Sequence, residues 1–233
     1  MNETLLDLGA LDPLFSRHLG DASARREWFT AMLRSAFVLT ITDSYRSFGE
    51  LGAAALDAVA ATRGVDLGES ERAELLGGLR SLPPHGEVPD ALARLASTGL
   101  TVAALTNSTL EVAREQMASS GLDRHLDAVL SADTVRRLKP APEPYLAATE
   151  TLAVAPEDAW MVAAHDWDVL GAGAAGLQPA YVARPGQTFT PLDRLPAVRG
   201  ADLDSVVDQI LASVEGGDAG SSRRGHPRRR RAL

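Results

Sequence analysis

The chain has no cysteine. Disulfides, thiolate nucleophiles and cysteine-ligated metals are thereby excluded, and a reducing compartment is allowed. No apolar run approaches the roughly 20 residues that carry a helix across a bilayer. No basic segment followed by a short apolar core opens the chain as a secretory signal would. A cytoplasmic protein with no membrane partner is expected. Internal repeats are missing too. Acidic charge is missing from one place: residues 221–233 hold six arginines and no acid, so within the net charge of −8 the rest carries −8 − 6 = −14. An acidic body disfavours nucleic acid as the main partner.

What is present suits one α/β core with an insertion. The chain has 233 residues, 45% hydrophobic and 23% charged, an ordinary globular balance. Residues 22–41 carry Phe29, Leu33 and Phe37 at helical spacing, with Trp28, Met32 and Ala36 beside them. A second helix is expected over 48–63, ending at Gly64, and a third over 70–79. Residues 11–82 therefore read as a helical unit of about three helices, closed by the break Pro83-Pro84-His85-Gly86. Beyond it the texture alternates. Helices are expected at 88–98, 110–120, 142–152 and 202–214, and strands at 100–105, 128–130, 160–164 and 179–183. Such alternation predicts a parallel sheet with right-handed crossovers. The Gly-, Ser-, Asp- and Arg-rich residues 216–233 are expected to be a disordered tail.

Three stretches stand where open α/β sheets place their chemistry, just past the carboxyl ends of strands. Residues 160–168 begin as a buried strand and break into His165, Asp166 and Asp168, followed by a Gly/Ala-rich helix. Thr106 and Asn107 follow another strand and precede a helix, where exposed N–H groups attract anions; taken alone, ordinary capping is the favoured explanation. Lys139 is pinned by Pro140, Pro142 and Pro144, which makes it a fixed positive charge. Tyr145 lies on the helix that follows. All three stretches should converge.

In this order and spacing the motifs resemble the haloacid dehalogenase superfamily, and within it the type II L-2-haloacid dehalogenases. The matching runs are Asn2 to Asp7, Thr106-Asn107-Ser108, Lys139 to Tyr145, and Val162 to Asp168 with its helix. The resemblance implies a Rossmannoid three-layer α/β/α parallel sheet with an inserted helical cap. Residues 1–10 are the remnant of the first core motif, 11–82 the cap and 83–215 the core. It also implies a hydrolase that cleaves the carbon–halogen bond of short 2-haloalkanoic acids through an aspartyl ester, with no metal or other cofactor. Thr4 would hold the nucleophile or its ester. Thr106 and Asn107 would bind the substrate carboxylate, and Tyr145 would line the pocket. Lys139 would keep the nucleophile ionised, and His165 and Asp168 would position or activate water. A homodimer through apolar cap helices is plausible.

Departures from the family pattern bear on the choice among subfamilies. Phosphatases of the superfamily carry an acid at the position of Asn2 and a magnesium-binding aspartate at that of Ala164. Their absence favours dehalogenase over a magnesium-dependent phosphatase; a non-catalytic binding protein is the further alternative. No arginine matches the family's halide-receiving position well; Arg26 and Arg34 are nearest. His165 stands where the family has asparagine. Met1 matches the residue just after the nucleophilic aspartate, so roughly 8–10 upstream residues, a strand ending in that aspartate, are expected before it.

Overall fold

The computed structural model describes residues 1–192, 195–221 and 232, with no side chains described for 216–221. Helices α1 (Asp12–Leu19), α2 (Ser23–Ile41), α3 (Phe48–Thr62) and α4 (Glu69–Gly77) form the cap. The helical unit thus has four helices. The extra one, α1, is short, begins at Pro13 and ends at Gly20 in the left-handed region (φ 79°). Eight residues offer too few turns for periodicity to declare itself. Ser47 and Glu50 form a reciprocal capping box that starts α3. Helices α2 and α3 pack closely because position 52 is glycine. A Cβ there would lie 3.2 Å from Met32 Sδ, and Trp28 Nε1 donates to the Gly52 carbonyl at 2.8 Å.

The core runs α5 (Val88–Ala96), β1 (Ala103–Thr106), α6 (Leu110–Ser119), β2 (Ala128–Ser131), α7 (Pro142–Thr151), β3 (Trp160–Ala163), α8 (Asp166–Ala174), β4 (Gln178–Val182), β5 (Val198–Gly200) and α9 (Leu203–Ser221). Every strand pairing is parallel. Alternation along the strands separates two faces. Trp160, Ala180 and Val182 pack with Leu92 and Leu95 of α5 and Val206 and Ile210 of α9. Met161, Ala163 and Tyr181 turn to Tyr145 of α7 and Val169 and Ala172 of α8. Helices on both faces give the three layers expected. Strand β5 was not anticipated; with three residues and an exposed arginine at its centre it shows neither an apolar run nor a full alternation.

The sheet is not continuous. β1 pairs only with β2, and β3 begins a separate ladder β3-β4-β5. Between β1 and β3 lies a slot of about 70 Å³, lined by Val102 to Leu105 on one side, Trp160 to Val162 on the other, and Met1, Thr4 and Leu5 at one end. At its foot Ala232 forms parallel bridges to both Thr101 and Ala159 and accepts a hydrogen bond from Trp160 N at 2.9 Å. This corrects the expectation of a wholly disordered tail. Open ladder edges take up an extended residue, and α9, anchored by Val206, Val207 and Ile210, runs on to Ser221 because extending a nucleated helix costs little. Residues 222–231 and 233 lie outside the described ones. No helix among the described residues is long and apolar enough to cross a membrane.

Candidate active site

The chain's only lysine is buried at the centre of the site. Lys139 Nζ donates to Asp168 Oδ2 at 2.6 Å and to the Leu105 carbonyl at 3.3 Å. Tyr145 OH donates to Asp168 Oδ1 at 2.6 Å. Both carboxylate oxygens are therefore engaged, in surroundings where Lys139 and Asp168 are 3% and 4% exposed. Burial alone pushes Asp168 up. The Lys139 charge, its hydrogen bond and that of Tyr145 outweigh burial and leave the carboxyl below its usual range. Burial, with the Asp168 charge beside it, holds the Tyr145 phenol protonated far above its ordinary range.

Local structure fixes this cluster from three loops. Asn107, past β1, clamps the Lys139 backbone on both sides: Lys139 N donates to Asn107 Oδ1 at 2.8 Å, and Asn107 Nδ2 donates to Lys139 O at 3.2 Å. Asp168 stands in the first turn of α8, where a carboxylate is favoured by the helix dipole. Position 171 must be glycine for α8 to come this close. A Cβ there would lie 2.7 Å from Pro140 Cβ and 2.9 Å from Tyr145 Oη. Thr4 ties the first segment to the end of β3, its Oγ1 accepting from Ala164 N at 3.1 Å. The Arg184 guanidinium donates to Thr4 O at 2.7 and 3.2 Å and pairs with Glu87 at 2.5 Å.

Thr4, Thr106, Asn107, Lys139, His165 and Asp168 line one cavity at the junction of core and cap. Met1 and Asn2 close one side, and Phe29, Leu33 and Phe48 of the cap add apolar surface. Trp167 also lines the cavity; its ring stacks on His165 with centroids 5.4 Å apart and lies 5.9 Å from Lys139 Nζ. The arrangement can do two things. A buried cation among hydroxyl and amide groups receives a small anion. Apolar walls exclude water and strengthen every charge interaction inside.

One expected role needs correction and another an addition. Tyr145 is fully buried behind Asp168 and does not line the cavity, because its hydroxyl is drawn to the carboxylate. The Asn107 side chain uses Oδ1 and one Nδ2 proton on the Lys139 backbone, so it positions the lysine as well as lining the cavity. Arg26 and Arg34 are exposed and neither lines the cavity. Arg25, one residue from Arg26, is buried and contacts Glu3 and Asp12. Sequence reasoning missed Arg25, Glu3 and Trp167. The one available signal was that Arg25 shares a helical face with Trp28, Phe29 and Met32.

Residues 16–176 match the family model of haloacid dehalogenase-like hydrolases. The chain belongs to that family. As a haloacid dehalogenase-like hydrolase it is 30% identical over 169 residues to (S)-2-haloacid dehalogenase 4A of Burkholderia cepacia, covering 71% of this chain and 73% of that protein. It is 28% identical over 183 residues to haloacetate dehalogenase H-2 of Moraxella sp. (strain B), covering 78% and 82%. Its fold superposes on that of the L-2-haloacid dehalogenase from Xanthobacter autotrophicus with chloropropionic acid covalently bound, at a TM-score of 0.83 and 24% identity over 89% of this chain and 94% of the other.

Proposed function

We infer that this hydrolase cleaves the carbon–halogen bond of a short 2-haloalkanoic acid, through an ester on a protein carboxylate held beside Lys139. The observation that carries the reading is the place of Met1. It lies at the end of the slot between β1 and β3, with its backbone nitrogen buried and within the electrostatic reach of Lys139 and Asp168. A strand rising through the slot, parallel to both neighbours, would deliver its last residue beside the buried ammonium. The named activities of the relatives and the covalent adduct in the Xanthobacter enzyme support the same chemistry.

In this mechanism the carboxylate attacks the carbon bearing halogen, halide leaves, and water hydrolyses the ester at its carbonyl carbon. Lys139 keeps the attacking carboxylate ionised and balances the charge brought in by the substrate acid. Thr4 and Thr106 offer hydroxyls on the cavity wall, and Asp168 and Tyr145 hold the lysine in place. His165 acts on the water. Magnesium does not fit this donor set: the Ala164 side chain offers no oxygen, and Asp168 is held by an ammonium at 2.6 Å. The same reading takes a free small acid in the cytoplasm as substrate, and a homodimer through the α2 end, where Val38 and Ile41 are exposed.

The test is chloride release from L-2-chloropropionate and phosphate release from p-nitrophenyl phosphate, with and without magnesium. Magnesium-independent chloride release is expected. Magnesium-dependent phosphate release alone would identify a phosphatase, and no turnover of either would identify a binding protein.

A further inference from the structure

Behind His165 of the cavity wall stands Glu3, which has no part in the scheme above. Glu3 sits in the left-handed region at φ 61°, a conformation that a residue with a Cβ adopts only when its surroundings hold it there. Its own side chain shows what holds it. Oε2 stands 3.1 Å from His165 Nε2, off the line of a well-formed hydrogen bond, and accepts from Gln187 Nε2 at 3.0 Å. Oε1 lies 3.5 Å from Arg25 NH1 on α2, and Arg25 also pairs with Asp12. The Glu3 backbone carbonyl faces His85 Nε2 at 3.3 Å. His165 in turn is held between the Phe29 and Trp167 rings, at 5.9 and 5.4 Å between centroids. Its ring is thus fixed in plane by aromatics and in rotation by a carboxylate.

We propose that Glu3 is a positioning residue that fixes the proton of His165 on Nε2, leaving Nδ1 as the acceptor for the hydrolytic water. This deepens the dehalogenase reading and rests on it. A carboxylate on one imidazole nitrogen sets the tautomer and makes the other nitrogen the base. In the second half-reaction water adds its oxygen to the ester's carbonyl carbon and gives one proton to Nδ1. The bond from that carbon to the product oxygen breaks, and the product oxygen takes the proton back from Nδ1. The water's second proton leaves the regenerated acid for solvent. Arg25 and Gln187 keep the Glu3 carboxylate from turning away. Asp166, adjacent to His165, is engaged elsewhere, its carboxylate accepting from Trp167 N and Thr190 N.

Three variants test this. Glu3→Gln keeps the shape and removes the charge, Glu3→Gly removes the side chain where glycine is relaxed, and Glu3→Asp keeps the charge. Long-range 1H–15N spectra of the imidazoles, recorded at pH 8, are expected to show His165 with its proton on Nε2 in the parent and Glu3→Asp, and a mixture in Glu3→Gln and Glu3→Gly. This readout does not depend on turnover. In rapid quench with L-2-chloropropionate, Glu3→Gln and Glu3→Gly are expected to form lactate at least tenfold more slowly while the first-turnover halide burst stays within twofold, so that ester accumulates on the protein. Glu3→Asp should restore much of the rate, and Glu3→Gly should melt no lower than Glu3→Gln. A proton on Nδ1 in the parent, spectra unchanged by Glu3→Gln, or both half-reactions slowed alike would overturn the proposal. A parent that releases no halide sinks the dehalogenase reading, and the spectra then decide the Glu3–His165 pairing by themselves.

Discussion

Lys139→Ala should destabilise the protein more than its size suggests, by a route the pH dependence can reveal. The substitution removes an ammonium that donates at 2.6 Å to Asp168 and leaves that carboxylate, 4% exposed, with Tyr145 as its remaining side-chain hydrogen-bond donor. Breaking a buried pair from one side typically costs about 3–5 kcal/mol. At this chain length, about 2–4 °C per kcal/mol makes that a fall of roughly 6–20 °C in melting temperature. The sign with pH follows from the directions of the shifts. In the parent Asp168 is held below its ordinary value of 3.8, so its contribution is present above that pH and is lost as pH falls through the lower folded value. Without Lys139 burial dominates and the folded value rises above 3.8; the penalty then stands at neutral pH and fades as the acid is protonated. The gap between parent and variant, measured by urea unfolding, should be widest near pH 7 and shrink towards pH 4. Lys139→Met with Asp168→Asn removes both charges and keeps an acceptor for Tyr145, so it should recover most of the loss. A neutral-pH gap under 1 kcal/mol, or one that grows in acid, would refute the reasoning.

Turnover by Lys139→Ala and by Asp168→Ala should each fall more than about 100-fold, the range for groups acting in such steps; retention of half the activity would remove that residue from the site. Gly171→Ala should lower stability by about 1–3 kcal/mol, as overpacking does, because its Cβ would meet Pro140 and Tyr145 at 2.7 and 2.9 Å; a calorimetric melt checks this. The free amine of Met1 gives a third expectation for the 233-residue chain. Burial, then Lys139, lowers it from 8.0 to about 5, with Asp168 opposing. The unfolded chain binds that proton first, so stability is full above pH 8 and falls by about 4 kcal/mol as pH drops to 5. Extending the chain by one or more residues before Met1 should abolish this slope relative to the 233-residue chain.

Most of the site was legible because its residues sit beside punctuation that sequence displays. Prolines at 140, 142 and 144 marked Lys139, strand ends marked Thr106 and His165, and their convergence followed from parallel topology alone. What each side chain bonds to was not legible. Asn107 and Tyr145 looked like ligands for substrate alone, but a buried polar group takes the nearest unsatisfied partner, here the Lys139 backbone and Asp168. Arg25 escaped notice because a buried arginine reads as a surface residue until its carboxylates, Glu3 and Asp12, are seen to come from distant positions. The split of the sheet between β1 and β3 was foreshadowed only by the early start of the first motif, and the seating of Ala232 in the slot by nothing in the sequence.

The central claim is an ester formed on the protein and hydrolysed at its own carboxyl carbon. A single turnover in water enriched in oxygen-18, with enzyme in excess over L-2-chloropropionate, tests it directly. The account predicts unlabelled lactate and one heavy oxygen in a carboxylate of the protein. Heavy oxygen in the lactate, with the protein unlabelled, would mean that water attacks the substrate carbon itself and would contradict the account.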